Sequence, residues 1–312
     1  MTKFAFVFPG QGSQAVGMLD AWGDHPAVRQ TLTEASDALG EDMARLIREG
    51  PGEQLALTTN TQPVMLTAGI ACYRAWLAET RLTPAALAGH SLGEYSALVA
   101  AGVLELAQAL PLVRFRALVM QEAVPVGVGT MAAILGLDAA AVREGCTEAA
   151  VATGEVVEAA NFNDPKQIVI AGTRAGVAKA CEVLKAKGAK RALPLAVSAP
   201  FHSTLMKPAA DRLKDRLAAI QFASPLITVI NNVDVKAETE PAAVRDALYR
   251  QAFGPVRWVE VIQALRARGV THVVECGPGK VLAGMVKRID AELISAAIFD
   301  PATLAEAQGL LA

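Results

Sequence analysis

The chain has 312 residues, 53% of them hydrophobic and 19% charged, enough apolar material for one large core or for one core with a small satellite. Its formal net charge of -2 supplies no basic field for neutralising phosphates, which argues against a nucleic-acid partner. The first apolar run, Phe4 to Phe8, is too short for a signal segment, and no later run reaches the roughly 18 residues that span a bilayer, so no membrane association and a cytoplasmic setting are expected.

Phe4 to Phe8 reads as a strand, followed by a Gly-rich turn and helical patterns over Ala27 to Leu39 and Pro63 to Leu77. Ala85 to Ala88 is a short strand-like run before Gly89, and Tyr95 to Ala101 is helix-forming and closed by Gly102. The rhythm then changes. Strands are predicted over Thr130 to Leu135, Val156 to Asn161, Gln167 to Ala171 and Arg191 to Val197, with helices over Asp138 to Ala150 and Arg174 to Lys187. This βαββαβ order is that of a ferredoxin-like unit. Gly127, Gly129 and Pro200 mark its linkers, and the α/β pattern resumes with strands at Ile227 to Ile230 and His272 to Glu275. The expected fold is α/β: an α/β-hydrolase-like core with a parallel sheet, residues 1–126 and 199–312, and a ferredoxin-like subdomain over 127–198. Cys72, Cys146, Cys181 and Cys276 stand far apart, without the pairing of a zinc site or the density of a disulfide scaffold, and read as reduced structural residues.

Gly89-His90-Ser91-Leu92-Gly93 fits G-x-S-x-G, the turn that lifts a nucleophilic serine out of a sheet at the start of a helix. Glycines two residues either side of Ser91 remove the Cβ atoms that would collide in so tight a turn. The helix N-terminus behind Ser91 places N–H donors and a positive dipole end where an oxyanion would form. An idle serine in a Gly-rich turn would share the pattern; the predicted strand before it and helix after it favour the nucleophile.

A serine hydroxyl needs a base, and the chain offers four histidines. His25 precedes Pro26 in a polar stretch, His272 opens a strand, and His90 is expected to point away from Ser91. His202 falls in the loop-like segment Ser198 to Ser203, where it could equally be a surface or capping residue if that segment stood alone. Asp138 and Asp164 look like helix-start and turn residues, so no third acid is evident and a backbone carbonyl is expected to orient the histidine.

Two further motifs mislead. Gly10-Gln11-Gly12-Ser13-Gln14-Ala15 fits the dinucleotide fingerprint of an oxidoreductase, but Glu34 and Asp37 sit in a helical pattern where that fingerprint needs an acid closing a second strand. Gly277-Pro278-Gly279-Lys280 suggests a phosphate loop but carries Val281 at the Ser/Thr position. Arg114 and Arg116 both lie on an apolar helix, each either a structural cation or a carboxylate clamp, and periodicity does not choose between them.

Taken in order, Phe8-Pro9-Gly10-Gln11-Gly12-Ser13-Gln14, Gly89 to Tyr95, Arg114-Phe115-Arg116, Pro200-Phe201-His202-Ser203, Asn231-Asn232-Val233-Asp234 and Glu275 to Lys280 resemble the malonyl-CoA:acyl-carrier-protein transacylases of bacterial type II fatty acid synthesis, across essentially the whole chain. The resemblance implies a Ser91 malonyl ester, with His202 as base and then acid, and Arg116 rather than Arg114 as clamp for the free carboxylate. It implies an oxyanion hole from the Gln11 and Leu92 amides, and a Gln251 main-chain carbonyl that orients His202. Phe201 leans the pocket toward malonyl over methylmalonyl. Malonyl-CoA and an acidic acyl carrier protein are the implied partners, with no metal or redox cofactor and a monomeric chain. Lys187, Lys190, Arg191, Lys287 and Arg288 are candidates for a carrier-docking patch, or simply a solvated face. A serine thioesterase would use the same elbow, and a non-enzymatic carrier-binding subunit is the third reading.

Overall fold

The five residues Phe4–Phe8 form strand β1 and are buried along their whole length, as an unbroken apolar run must be when both faces of a parallel sheet are covered. The remaining strands are β2 (Ala86–Gly89), β3 (Gly129–Leu135), β4 (Val157–Asp164), β5 (Gln167–Thr173), β6 (Arg191–Pro194), β7 (Thr228–Ile230), β8 (His272–Cys276) and β9 (Ile294–Ile298). The structure, a computed structural model, describes residues 2–125, 127–197 and 199–312. Ser198, at the head of the loop that carries His202, lies outside the described residues, as does Val126; the expected subdomain limits fall at these two positions.

A five-stranded parallel sheet runs in the order β7-β2-β1-β8-β9. Alternation along β1 sends Phe4, Phe6 and Phe8 to one face, where they meet Tyr73 and Trp76 of helix Thr58–Glu79 in edge-to-face contacts. Ala5 and Val7 point to the other face, against Trp258 and Ile262 of helix Trp258–Ala267 and Val286 of helix Val281–Ile289. Each buried Phe removes enough apolar surface to contribute about 1.5–3 kcal/mol. The chain builds outward from β1 to β2 and β7, then returns to add β8 and β9 on the other side. A crevice therefore forms at the carboxyl ends of the central strands, the usual place for a ligand in an open α/β sheet.

The second sheet is antiparallel, in the order β4-β5-β3-β6 that a βαββαβ ferredoxin-like unit adopts. Ile134, Phe162, Ile168 and Ile170 face the two helices Ala139–Thr153 and Arg174–Ala186. On the opposite face Met131, Ala133 and Val169 pack with Phe201. Main-chain bonds from Phe162 to Val256 and from Val256 to Ala160 attach β4 to the segment before helix Trp258–Ala267.

Some boundaries differ from expectation. The second long helix begins at Thr58, so Pro63 lies inside it rather than starting it. β6 ends at Pro194 instead of Val197: Leu195 N still donates to the Met131 carbonyl oxygen, but Val197 N turns back to the Leu195 carbonyl oxygen and leaves the ladder. Among the described residues no helix is long and apolar enough to cross a membrane.

Candidate active site

β2 ends at Gly89, level with Phe8 of β1, and the chain turns at once into helix Gly93–Ala100. Ser91 at the apex has φ 52°, a left-handed conformation that costs a non-glycine residue on the order of 1–3 kcal/mol. The flanking glycines are obligatory. A Cβ on Gly89 would stand 1.9 Å from the carbonyl carbon of Gly93, and one on Gly93 would stand 2.0 Å from the Phe8 carbonyl oxygen.

The strained turn places Ser91 Oγ 2.7 Å from Nε2 of His202. The other ring nitrogen, Nδ1, lies 3.0 Å from the carbonyl oxygen of Gln251 and 3.1 Å from that of Gly254. Two acceptors on Nδ1 require it to carry the proton, which leaves Nε2 bare to accept from the serine. His202 is buried, and burial, then the Arg116 charge, push its pKa down to about 3, so the ring is neutral and available as a base. His202 itself has φ 60°, and its loop is fixed by Ser203 donating to the Pro200 carbonyl and by the Thr204 amide and hydroxyl donating to Glu158 of β4.

Arg116 is brought to the same point, while Arg114 is not. Only 2% of Arg116 is exposed, and its guanidinium donates to Gln62 Oε1 at 2.7 Å, Gln251 Oε1 at 3.1 Å and Ser91 Oγ at 3.2 Å. Its Cζ sits 5.5 Å from the centre of the Tyr95 ring. All three of these hydrogen-bond partners are neutral, a setting that favours an incoming carboxylate. Arg114, two residues earlier, turns outward into a bidentate pair with Glu41 at 2.7 and 3.0 Å.

Ser91, His202 and Arg116 open onto a cleft of about 430 Å³ whose walls include Gln11, Leu92, His90, Asn163, Met131 and Phe201. Among the described residues neither the Gln11 nor the Leu92 amide donates to another protein group, whereas the Ser91 amide is taken by Asn232 Oδ1 at 2.7 Å. The Gly10-Gln11-Gly12 turn rests against the elbow, since a Cβ on Gly10 would stand 2.6 Å from the His90 carbonyl oxygen. That close approach accounts for its glycine without any nucleotide. His90 turns away from Ser91, with Nε2 2.8 Å from Asn163 Oδ1 and its ring edge-on to Trp258. His25 pairs with Glu79, and His272 lies beside Thr271, both away from the site. Of the basic candidates, Lys187 is held by Glu144 and Glu148, and Arg288 by Asp164.

The sequence reading assigned no part to four side chains that complete the site. Asn232 clamps the elbow, accepting from Ser91 N and donating to the Gly89 carbonyl oxygen at 2.7 Å. Glu94 accepts from the Asn232 amide and from Gln251 Nε2, Gln62 supports Arg116, and Asn163 holds His90. Burial raises the Glu94 pKa to about 7, against the pull of its two N–H donors and Arg116.

Residues 5–300 match the acyl transferase domain family. The malonyl CoA-acyl carrier protein transacylase of Escherichia coli K12 is 54% identical over 98% of this chain and 99% of its own length. Its Bacillus subtilis 168 counterpart is 48% identical over 97% and 96%. Among solved structures, the acyl-carrier-protein S-malonyltransferase of Burkholderia pseudomallei 1710b superposes with a TM-score of 0.97 at 64% identity, covering 99% of this chain and all of that one. A malonyl-transacylase solved in complex with its type II PKS acyl-carrier protein superposes with a TM-score of 0.97 at 49% identity, over 99% of this chain and 100% of that chain.

Proposed function

The chain belongs to the acyl transferase domain family, and we propose that its Ser91 centre moves a malonyl group from malonyl-CoA to the phosphopantetheine thiol of an acyl carrier protein. One observation carries the choice of acyl group: the buried Arg116 guanidinium lies 3.2 Å from the same Ser91 Oγ that meets His202. A carboxylate-bearing acyl chain satisfies both at once.

In the first half-reaction His202 Nε2 takes the Ser91 hydroxyl proton as Oγ bonds to the thioester carbon. The Gln11 and Leu92 amides are the donors we assign to the oxyanion, consistent with the Ser91 amide being occupied. The intermediate collapses by breaking the C–S bond, and His202 returns the proton to the departing CoA sulfur. The second half runs in reverse order: the carrier thiol gives its proton to His202, sulfur attacks the ester carbon, and the C–O bond breaks as Ser91 recovers the proton. The Gln251 carbonyl keeps the imidazole oriented throughout. Phe201 is the wall we assign against a branched acyl carbon. The thioester supplies the driving group, so the proposed chemistry calls for no metal or redox cofactor. A ferredoxin-like subdomain over 127–198 set on a core of 1–126 and 199–312, a monomer and a cytoplasmic setting complete the proposal.

Intact-protein mass spectrometry after brief mixing with malonyl-CoA tests it, beside Ser91→Ala. The expected result is a Ser91-dependent malonyl adduct that persists in water and is discharged by acyl carrier protein. Rapid loss to water would instead identify a thioesterase, and no adduct a binding subunit.

A further inference from the structure

Three backbone atoms define the strained turn at the nucleophile, and each is held by one of two side chains. Asn232 accepts from Ser91 N and donates to the Gly89 carbonyl oxygen, both at 2.7 Å; Gln251 Nε2 donates to the Ser91 carbonyl oxygen at 2.9 Å. These two residues lie 141 and 160 positions beyond Ser91, after β7 and at the end of helix Pro241–Gln251. They meet at one atom. Glu94 Oε2 accepts from the Asn232 amide at 2.8 Å and from Gln251 Nε2 at 3.1 Å. Gln251 also presents its side-chain oxygen to Arg116 and its carbonyl oxygen to His202. Ser91, His202 and Arg116 are therefore each within two hydrogen bonds of Glu94, which is only 2% exposed.

We propose that Glu94 is a positioning residue for the acyl transfer, its Oε2 locking Asn232 and Gln251 so that Ser91, His202 and Arg116 keep their mutual geometry. The inference rests on the acyl-transfer reading above. Glu94 touches none of the reacting atoms. What it supplies is an acceptor that both partners need at once, in a place where water does not reach. The charges facing it are Arg116, which favours its ionised form, and Asp234, which opposes it; burial outweighs both. Because both accepted bonds end on Oε2, a proton taken up would sit on Oε1 and leave the two bonds in place.

An isosteric amide should then do most of the same work, since one amide oxygen can accept both N–H groups. The test is the single-turnover rate of Ser91 acylation by malonyl-CoA in Glu94→Ala and Glu94→Gln, with circular dichroism and thermal melts to verify folding. Glu94→Ala is expected to lose about 100-fold in kcat, the scale of a misplaced reacting group, with KM changed by less than about threefold. Glu94→Gln is expected to recover most of that loss and to keep the wild-type pH profile. An unchanged rate in folded Glu94→Ala overturns the proposal. Equal losses in both variants also overturn it, because charge rather than the pair of accepted bonds would then be the requirement. Should Glu94→Ala not fold, Asn232→Ala removes the bonds to Ser91 N and Gly89 and is expected to show the same kcat-selective loss; a wild-type rate there overturns the proposal as well. Absence of any adduct on the wild-type chain would refute the functional reading itself, a result distinct from wild-type and variant acylating alike.

Discussion

Nδ1 of His202 lies 3.0 Å from the main-chain carbonyl oxygen of Gln251, so the imidazole is oriented by a backbone atom that no substitution at that position removes. Gln251→Ala keeps this acceptor and loses only the side-chain bonds to Ser91, Arg116 and Glu94. We expect His202→Ala to slow Ser91 acylation by roughly 100- to 10,000-fold and Gln251→Ala by about tenfold. Stopped-flow or quenched mass spectrometry of the adduct measures both, and equal losses would show that the side chain of Gln251 matters as much as the imidazole of His202.

Arg116→Ala should compress the preference for malonyl-CoA over acetyl-CoA by about tenfold to a hundredfold, the worth of a buried charged hydrogen-bonded pair. Arg114→Ala should leave the preference alone and cost less than about 1 kcal/mol of stability, because its ion pair with Glu41 is half in solvent. Ratios of kcat/KM for the two thioesters decide this; an unchanged ratio in Arg116→Ala removes it as the clamp.

Gly89→Ala forces a Cβ to within 1.9 Å of backbone that has no slack, and a loss of about 3 kcal/mol or more is expected. Gly40→Ala is the comparison: φ is 64° there, but the added carbon meets nothing within 4 Å, so only about 1 kcal/mol of backbone strain applies. Denaturant midpoints of the two variants compare them directly.

The pH dependence has two signs. With His202 pushed down to about 3 by burial and by Arg116, the acid limb of Ser91 acylation should fall well below the ordinary imidazole range. Arg116→Ala should move that limb upward, and a wild-type limb near 6.5 would show that burial and Arg116 do not hold His202 below the ordinary imidazole range. For stability, a neutral buried His202 favours the folded state above the unfolded imidazole pKa, and this is lost as pH falls below it. Glu275 behaves oppositely: burial raises its pKa to about 7, so its contribution is full below the unfolded value of about 4.5 and is lost as pH rises through 7. Glu275→Gln should therefore raise the melting temperature relative to wild type more at pH 8 than at pH 5; equal differences at the two would contradict it.

Much of this was written locally in the chain. An apolar pentapeptide at Phe4 has to be a two-sided strand, Gly89 and Gly93 announce a turn that no other residue allows, and the strand and helix periods of residues 130–194 carry the order of the small sheet. The choice of Arg116 over Arg114 was not readable from periodicity, because both flank Phe115 on a helix buried over most of its surface. Only Glu41 on one side and Gln62 with Gln251 on the other separate the two arginines, and those contacts span 54 to 135 positions. Asn232 was visible as part of a motif but silent about its task, since its partners Gly89 and Ser91 lie more than 140 positions away. The helix over Thr58–Glu79 hid its start because Pro63 signals a first turn and the tertiary packing of Thr61 and Gln62 overrides it.

The placement of Arg116 beneath the nucleophile makes the site a ruler. With the guanidinium 3.2 Å from Ser91 Oγ, an acyl group bonded to that oxygen must fold its far end straight back on itself. One methylene between carbonyl and carboxylate permits that fold; two or three methylenes would carry the carboxylate past the cation, into a cleft whose walls include Met131 and Phe201. In the proposed malonyl transfer, length is then read from a fixed anchor rather than from the depth of a pocket, and adduct yields from succinyl-CoA and glutaryl-CoA, expected far below that from malonyl-CoA, measure how finely the ruler is divided.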